Sequence, residues 1–240
     1  WNEVVPASEL NYIMGNPPFI GYSLQSKEQK TDILSIYIDE KGRPYSTAGK
    51  IDYVAGWYWK ASEMMASTDK VIRTALVSTN SITQGEQVAA IWKPLFDRFG
   101  IHIDFAWRTF RWDSEANEKA HVHCVIIGFH CVDSAAKGSQ GGRKVLFNED
   151  GQMLEARHIN PYLMDATDIF LPSRRGPACA VSDVTNGSKP VDGGHFFLSR
   201  EERNALIKTE PESQRFIYRV FGGDEYINNG ERYCLWLVDA

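Results

Sequence analysis

The sequence predicts an open α/β sheet whose last two strands form an antiparallel hairpin. Short apolar runs alternate with amphipathic stretches in the order strand, helix, helix, strand, helix, strand, strand. The first apolar run stops at Pro17 and Pro18, which fix φ and cannot extend a ladder of backbone hydrogen bonds. In open sheets the chemistry lies beyond the carboxyl ends of the strands, so the residues that follow the first strand are the first candidates for a functional site.

The first three elements are predicted within residues 11–65. Residues 11–15 form a short apolar strand, which we expect to be buried. Ser26 and Gln29 have the spacing of a capping box, so a helix is predicted to start there and to run to about residue 38. From Ile51 to Met65 the apolar residues recur every three or four positions, which predicts the strongest helix of the chain.

The next four elements complete the predicted sheet. Residues 74–78 predict a strand, and residues 86–99 predict a second amphipathic helix. Residues 101–106 alternate as a strand does, and residues 120–129 are strongly apolar and bounded by charge. These last two runs have no helix between them, which indicates the hairpin.

The later part of the chain is predicted to be less regular. Residues 133–143 are small, polar and rich in glycine, which is typical of a flexible loop. We therefore expect three parts: a domain over 1–132, a flexible loop or insertion over 133–155, and a mixed, loop-rich region over 156–240. Within the last part a capping-box pattern predicts a helix over residues 200–209.

Composition limits the function classes. A chain of 240 residues can bury a sizeable core, and no apolar run approaches the length that spans a bilayer. The four cysteines show no Cys-x-x-Cys spacing, so we expect a reduced, cytoplasmic protein with no metal. For His121 and His123, which share a strand face, pairing or core roles are preferred to metal binding. A net charge of −5 argues against a general polyanion binder, although a local basic cleft could still bind DNA.

The turn from Asn16 to Phe19 combines two hydrogen-bond acceptors with an aromatic ring. Asn16 offers its side-chain carbonyl and Pro17 its main-chain carbonyl. Two acceptors side by side can hold both hydrogens of a planar amine, which turns the nitrogen lone pair towards an electrophile. Phe19 can stack on the ring that bears the amine. The alternative is an ordinary strand-ending turn, where Asn and Pro are common.

The tetrapeptide Asn16-Pro17-Pro18-Phe19 resembles the catalytic motif of amino-methyltransferases that use S-adenosylmethionine, chiefly the DNA adenine-N6 methyltransferases. The resemblance implies methyl transfer to N6 of an adenine flipped out of double-stranded DNA, with these four residues catalytic and Phe19 stacked on the base. The same letters occur in methyltransferases of RNA adenine and of a protein glutamine amide, which remain alternatives.

Two downstream stretches extend the resemblance. Residues 51–57 look like the helix start that follows the catalytic loop, which implies cofactor contacts from Asn16, Asp52 and Trp57; for Trp57, a core or partly exposed position on the helix is an equal alternative. Residues 105–112 with 120–129 look like the final strand pair. This resemblance implies that Phe110, or alternatively Trp112, packs against the flipped base, and that Arg108 and Arg111 meet DNA phosphates unless they are a solvated pair on a strand edge.

The chain as a whole resembles the MmeI-like group of prokaryotic proteins, which fuse endonuclease, methyltransferase and DNA-recognition parts. Residues 80–87 and 108–112 are the most specific matches, and residues 224–236 resemble the start of the target-recognition region. The implied fold is the later part of a class I (Rossmann-like) methyltransferase sheet.

The chain contains no Gly-x-Gly, the usual cofactor motif of that family. We therefore expect a fragment whose cofactor site is completed by a missing N-terminal part of the same protein. The alternative from another class is a non-catalytic DNA-recognition or assembly module with a methyltransferase-like shell.

Overall fold

The computed structural model describes residues 1, 3–113, 121–131, 143–174, 176, 179–180 and 192–237. The chain divides into two compact units, Trp1–Arg175 and Gly176–Ala240. Each unit is built around its own sheet. Within the described ranges, no helix combines the length and apolar character that crossing a membrane requires.

The first unit contains a six-stranded mixed sheet in the order β1-β2-β4-β3-β5-β6. Its strands are β1 (Tyr12–Gly15), β2 (Arg73–Thr79), β3 (Ile101–Asp113), β4 (His121–Cys131), β5 (Lys144–Phe147) and β6 (Met153–Ala156). β1 and β2 are parallel, as are β3 and β5, and β4 lies antiparallel between β2 and β3. The predicted α/β class and the β3–β4 hairpin are therefore confirmed.

Three helices of the first unit follow the predicted signals with one shift. They are α1 (Lys27–Ile36), α2 (Ala55–Ala66) and α3 (Gly85–Phe99). The capping box at the start of α1 is formed as predicted, since the Ser26 hydroxyl accepts the backbone N–H of Gln29. Helix α2 begins at Ala55 rather than at Ile51, because the segment before it makes hydrogen bonds with two other parts of the chain.

Aromatic rings from three elements meet in the core of the first unit. Tyr58 of α2 stacks on Phe129 of β4 at a centroid distance of 5.4 Å, and Trp92 of α3 meets Tyr58 edge-on at 5.2 Å. The Tyr58 hydroxyl shares a hydrogen bond with Ser78 of β2 at 2.8 Å, and burial raises the pKa of this phenol well above its ordinary value. The helices α2 and α3 are thus joined to the sheet by large, fully buried side chains.

The expectation that the first strand is buried is wrong. The side chains of Tyr12 and Met14 are 66% and 78% exposed. Among the described residues β1 pairs with β2 alone, and it lies at the end of the strand order. An apolar run in the sequence indicates that burial of its side chains is favourable. Whether they are buried depends on the place of the strand in the sheet.

The loop predicted over residues 133–155 contains two strands in its second half. β5 pairs with β3 and β6 pairs with β5, so both extend the sheet. Leu146 is buried in this addition. Four residues are too few to show a convincing periodicity, and no pair of prolines marks the end of β5 or β6 as it does for β1, so the sequence did not indicate them. Residues 132–142, where the glycine-rich part of the predicted loop falls, lie outside the described residues.

The second unit is a small antiparallel sheet with two helices. Its strands β7 (Phe197–Leu198), β8 (Ile217–Val220) and β9 (Arg232–Leu235) have the order β7-β9-β8. Helix α4 (Arg200–Thr209) starts at the predicted place with a capping box on Ser199, and α5 (Gly223–Asn228) is shorter. The mixed region predicted after the first sheet is therefore confirmed, and its described residues include a second sheet that the sequence did not indicate.

Candidate functional site

The turn after β1 places its polar and apolar groups in different surroundings. β1 ends at Gly15, and the next four residues form the turn at the carboxyl edge of the sheet. Asn16 is exposed, Pro17 is buried and Phe19 is half-buried. The buried proline ring anchors the turn, so the Asn16 amide beside it remains accessible to a ligand.

A cavity of about 520 Å³ opens beside this turn. Asn16, Pro17 and Pro18 contribute to its lining, and Trp57 of α2 lines it as well. Much of the remaining lining is apolar and comes from Trp1, Val4, Val5, Leu10, Met14 and Met64. The volume lies within the range of small-molecule sites in proteins. The structure thus brings Asn16 and Trp57, which are far apart in sequence, to one cavity.

Trp57 has a partly supported ring at this cavity. The residue is half-buried, and Tyr53 meets its ring edge-on at a centroid distance of 5.3 Å. An indole held in this way keeps its orientation and can offer an aromatic surface to a planar ligand. Trp57 is thus a partly exposed helix aromatic packed against the core, and its contact with a cofactor stays a prediction.

Asp52 lies behind the turn and is not among the residues that line the cavity. It is 6% exposed. One carboxylate oxygen accepts the backbone N–H of Tyr22 at 3.0 Å, and the other accepts the hydroxyl of Ser81 at 2.6 Å. Both oxygens are therefore engaged by the protein, in contrast to the exposed amide of Asn16.

The Asn16–Phe19 turn is followed by a loop that is hydrogen-bonded to the segment before α2. Ile20 accepts the backbone N–H of Tyr53 at 2.9 Å, and the Gln25 side chain donates to the carbonyl of Ile51 at 2.9 Å. With the bond from Tyr22 to Asp52, contacts occur along the whole loop. The backbone that follows the candidate catalytic residues is thus positioned from outside the cavity.

The aromatic residues predicted to meet a base lie at the same edge of the sheet. Thr79 at the end of β2 and Phe110 of β3 both pair with Cys124 of β4, so Phe110 is level with the end of β2. Trp112 lies two positions further out and is 46% exposed. Beneath them Trp107 stacks on Phe147 of β5 at 5.0 Å, an aromatic pair that the sequence did not indicate.

The two arginines of β3 have different surroundings. Arg108 donates to the carbonyl of Leu163 at 3.0 Å and to the side-chain oxygen of Asn148 at 3.3 Å. Arg111 is exposed. Arg108 therefore has a structural role inside the protein that the sequence did not predict, whereas Arg111 is accessible from outside.

The histidines of β4 do not form part of a metal cluster within the described ranges. No group of three or more His, Cys, Asp or Glu side chains comes close enough there to hold an ion. His123 is exposed on β4. The side chain of His121 lies outside what the structure describes.

Comparison with known sequences identifies the family to which a chain with this fold and this turn after β1 belongs. Residues 1–148 match the model of the MmeI DNA-methyltransferase domain, and residues 165–240 match that of the MmeI target recognition domain. Since the first match covers more than half of the chain, the chain belongs to the MmeI DNA-methyltransferase family. The resemblance drawn from the sequence is confirmed.

Two relatives show how much of a longer protein the chain represents. DNA methyltransferase A of Bacillus subtilis (strain 168) is 38% identical over 243 residues, which cover 100% of this chain and 26% of that protein. A solved structure of the Type IIL restriction-modification enzyme MmeI in complex with DNA is 42% identical, with a TM-score of 0.88 over 100% of this chain and 31% of that one. The chain thus spans about a quarter to a third of the length of these relatives.

Proposed function

We propose that the chain carries the base-binding part of an enzyme that transfers a methyl group from S-adenosylmethionine to N6 of adenine in DNA, within a restriction-modification protein. The observation that carries this proposal is the shared cavity of Asn16, Pro17 and Trp57 at the carboxyl end of β1. Membership of the MmeI DNA-methyltransferase family supports DNA as the substrate.

Asn16 and Pro17 act on the amine of the target base. The side-chain oxygen of Asn16 and the carbonyl of Pro17 accept its two hydrogens, which frees the nitrogen lone pair from conjugation with the ring. As the carbon–nitrogen bond forms, positive charge develops on the nitrogen, and these two acceptors stabilise it without rearranging. The nitrogen loses its proton to solvent afterwards, so no base is needed before the attack.

Phe19, which is not among the residues that line the cavity, would stack on the flipped base beside it. Flipping an adenine out of the duplex costs a few kcal/mol, and stacking on an aromatic ring returns part of that cost. Phe19 is half-buried, so its position is supported while part of its ring remains accessible. Phe110 or Trp112 would complete the stacking from β3, a role supported by their place at the same edge of the sheet.

The residues at the cavity fit S-adenosylmethionine, which supplies an electrophilic methyl group when it is bound. Trp57 offers an aromatic surface for a purine, the Asn16 amide offers polar groups, and the cavity has a suitable volume. We propose Asn16 and Trp57 as cofactor contacts. The glycine-rich wall of the site would come from a further, N-terminal part of the same protein. The chemistry as proposed uses no metal.

DNA contacts would be local, because the chain carries a net charge of −5. Arg111 is the better supported phosphate contact of the two predicted arginines, since it is exposed and lies beside Trp112 on β3. Arg108 could meet a phosphate only in addition to its internal hydrogen bonds. We propose that the target-recognition part begins after the first sheet, and that the protein is cytoplasmic.

The substitution Asn16→Ala tests the proposal in the full-length protein. It removes one of the two amine acceptors, so we expect methylation of duplex DNA to fall by about 100-fold or more, with DNA affinity changed less than about threefold. Asn11→Ala is the matched control, since Asn11 is an exposed asparagine just before β1. Mass spectrometry of the nucleosides identifies N6-methyladenine as the product.

Two outcomes would contradict the proposal. Full turnover by Asn16→Ala would show that this turn does not hold the amine. If the protein methylates RNA or a protein amide but no adenine in DNA, the proposed substrate is wrong, although the proposed mechanism could still apply. If the unsubstituted protein binds its DNA but methylates nothing, the non-catalytic recognition module becomes the better description.

A further inference from the structure

We propose that Asp52 is a positioning residue, which holds the Asn16–Phe19 turn in register with the turn that follows β2. This inference rests on the proposed function, because the position of the turn affects the rate only if the turn binds the reacting base. It assigns to Asp52 a role different from the cofactor contact that the family resemblance implies.

Asp52 bridges two neighbouring strand ends. β1 and β2 are parallel and adjacent, so the turns that follow them lie at the same edge of the sheet. One oxygen of Asp52 accepts the N–H of Tyr22 in the chain after β1, at 3.0 Å. The other accepts the hydroxyl of Ser81 in the turn after β2, at 2.6 Å. A single carboxylate thereby joins the loop that continues the Asn16–Phe19 turn to the turn after β2.

Asp52 is itself positioned by a third element, the helix α3. Gln87 of α3 accepts the backbone N–H of Asp52 at 3.1 Å through its side-chain oxygen. The amide nitrogen of Gln87 donates to the carbonyl of Lys50 at 2.9 Å. Gln87 therefore pairs with the backbone on both sides of Ile51. Because α3 packs into the core through Trp92, the bridge is anchored to a rigid helix.

Removal of the Asp52 carboxylate would take away the acceptor that Tyr22 and Ser81 share. Asp52 is 6% exposed and its bond to Tyr22 is partly buried, so in an alanine variant the N–H of Tyr22 loses its protein acceptor. The loop after Phe19 is then no longer tied to the turn after β2 through this side chain, and it can shift. A displacement of about 1 Å at a reacting group can reduce a rate by about 100-fold.

An asparagine at this position should preserve most of the bridge. Its side-chain oxygen can still accept the N–H of Tyr22. Its amide group would face Ser81, whose hydroxyl can turn towards the Thr79 hydroxyl, 2.9 Å away. Asp52→Asn is thus a rescue variant that separates positioning from any need for a negative charge.

The experiment compares Asp52→Ala, Asp52→Asn and Asp39→Ala in the full-length protein. Asp39 is a matched control: one of its oxygens accepts the backbone N–H groups of Lys41 and Arg43, both at 2.9 Å, in a different loop. For Asp52→Ala we expect kcat for DNA methylation to fall by about 100-fold, with the Kd values of S-adenosylmethionine and of duplex DNA within about threefold of the unsubstituted protein. We expect Asp52→Asn to stay within about tenfold in kcat, and Asp39→Ala to show no change.

Hydrogen exchange of residues 19–24 gives a second readout that does not depend on activity. Faster exchange of these amides in Asp52→Ala than in Asp39→Ala supports positioning, even if the protein has no methyltransferase activity and the proposed function fails. Unchanged exchange overturns the inference. A rise in the Kd of S-adenosylmethionine that accounts for the whole loss of kcat/KM also overturns it, since Asp52 would then be a direct cofactor contact.

Discussion

The two ends of the strands in the six-stranded sheet are stabilised by different kinds of contact. The carboxyl edge is where β1, β2 and β3 end, and the opposite edge is where they begin. At the carboxyl edge, side chains bind backbone groups of the turns: Asp52 holds the N–H of Tyr22, and the indole of Trp92 donates to the carbonyl of Ile82 at 2.8 Å. At the opposite edge, titratable side chains also contact one another, beside a bond from Lys144 to the carbonyl of Ile103. There the His130 ring pairs with Asp104 at 2.8 Å, and His102 lies 6.0 Å from His130 between ring centroids.

This difference indicates where precision is required. Hydrogen bonds to backbone atoms fix the path of a turn, whereas a pair of partly exposed side chains constrains mainly those side chains. The carboxyl edge carries the candidate site, and its turns are fixed by long-range contacts of the first kind. The opposite edge carries His102, whose pKa is lowered by partial burial, so stability should depend on pH through this residue.

The largest effect is expected from Trp92, which supports the turn after β2. Its side chain is fully buried, so Trp92→Ala should lower the free energy of unfolding by about 3–5 kcal/mol. Trp92→Phe keeps much of the packing but loses the hydrogen bond to Ile82, which should cost about 1–3 kcal/mol. Hydrogen exchange of α2 and α3 amides in increasing urea measures both. A Trp92→Phe variant as stable as the unsubstituted protein would show that the hydrogen bond contributes little to holding this turn.

A smaller effect is expected from Arg108 of β3, whose side chain makes hydrogen bonds inside the protein near the same edge. Arg108→Met leaves the carbonyl of Leu163 and the side chain of Asn148 without their donor, so the unfolding free energy should fall by about 1–3 kcal/mol. Arg111→Met is the control on the same strand, with an exposed side chain. We expect the reverse ranking for DNA affinity, with Arg111→Met reducing the salt dependence by about one phosphate contact. An Arg108→Met variant as stable as the unsubstituted protein would rule out a structural role for Arg108.

The smallest effect is expected from His102 at the opposite edge. Partial burial lowers the pKa of His102 below 6.5, and the charges of Lys144, His130 and His158 lower it further. The unfolded chain then takes up a proton more readily than the folded protein, so stability should fall as the pH drops below about 6.5. His102→Gln should weaken this dependence, as measured by urea midpoints at pH 7.5 and 5.5. An unchanged dependence would assign it to other groups.

Much of the fold could be predicted because its signals are local. The capping residues Ser26 and Ser199, the periodicity of α3 and the prolines after β1 each act within one turn of chain. The strands β5 and β6 were missed because each has only four residues and is formed by pairing within the sheet. The start of α2 was misplaced because Asp52 and its neighbours bind other loops rather than continue the helix.

For the candidate site, the sequence by itself determined which residues could do the chemistry: an amide, a proline carbonyl and an aromatic ring at the end of a strand. Tertiary structure alone decided which of the predicted residues meet. It brought Trp57 to the cavity of Asn16, engaged both oxygens of Asp52, and directed Arg108 to Leu163. The physical reason is that the chemistry of a side chain is intrinsic, whereas its partners are set by which distant loops the sheet brings to the same edge.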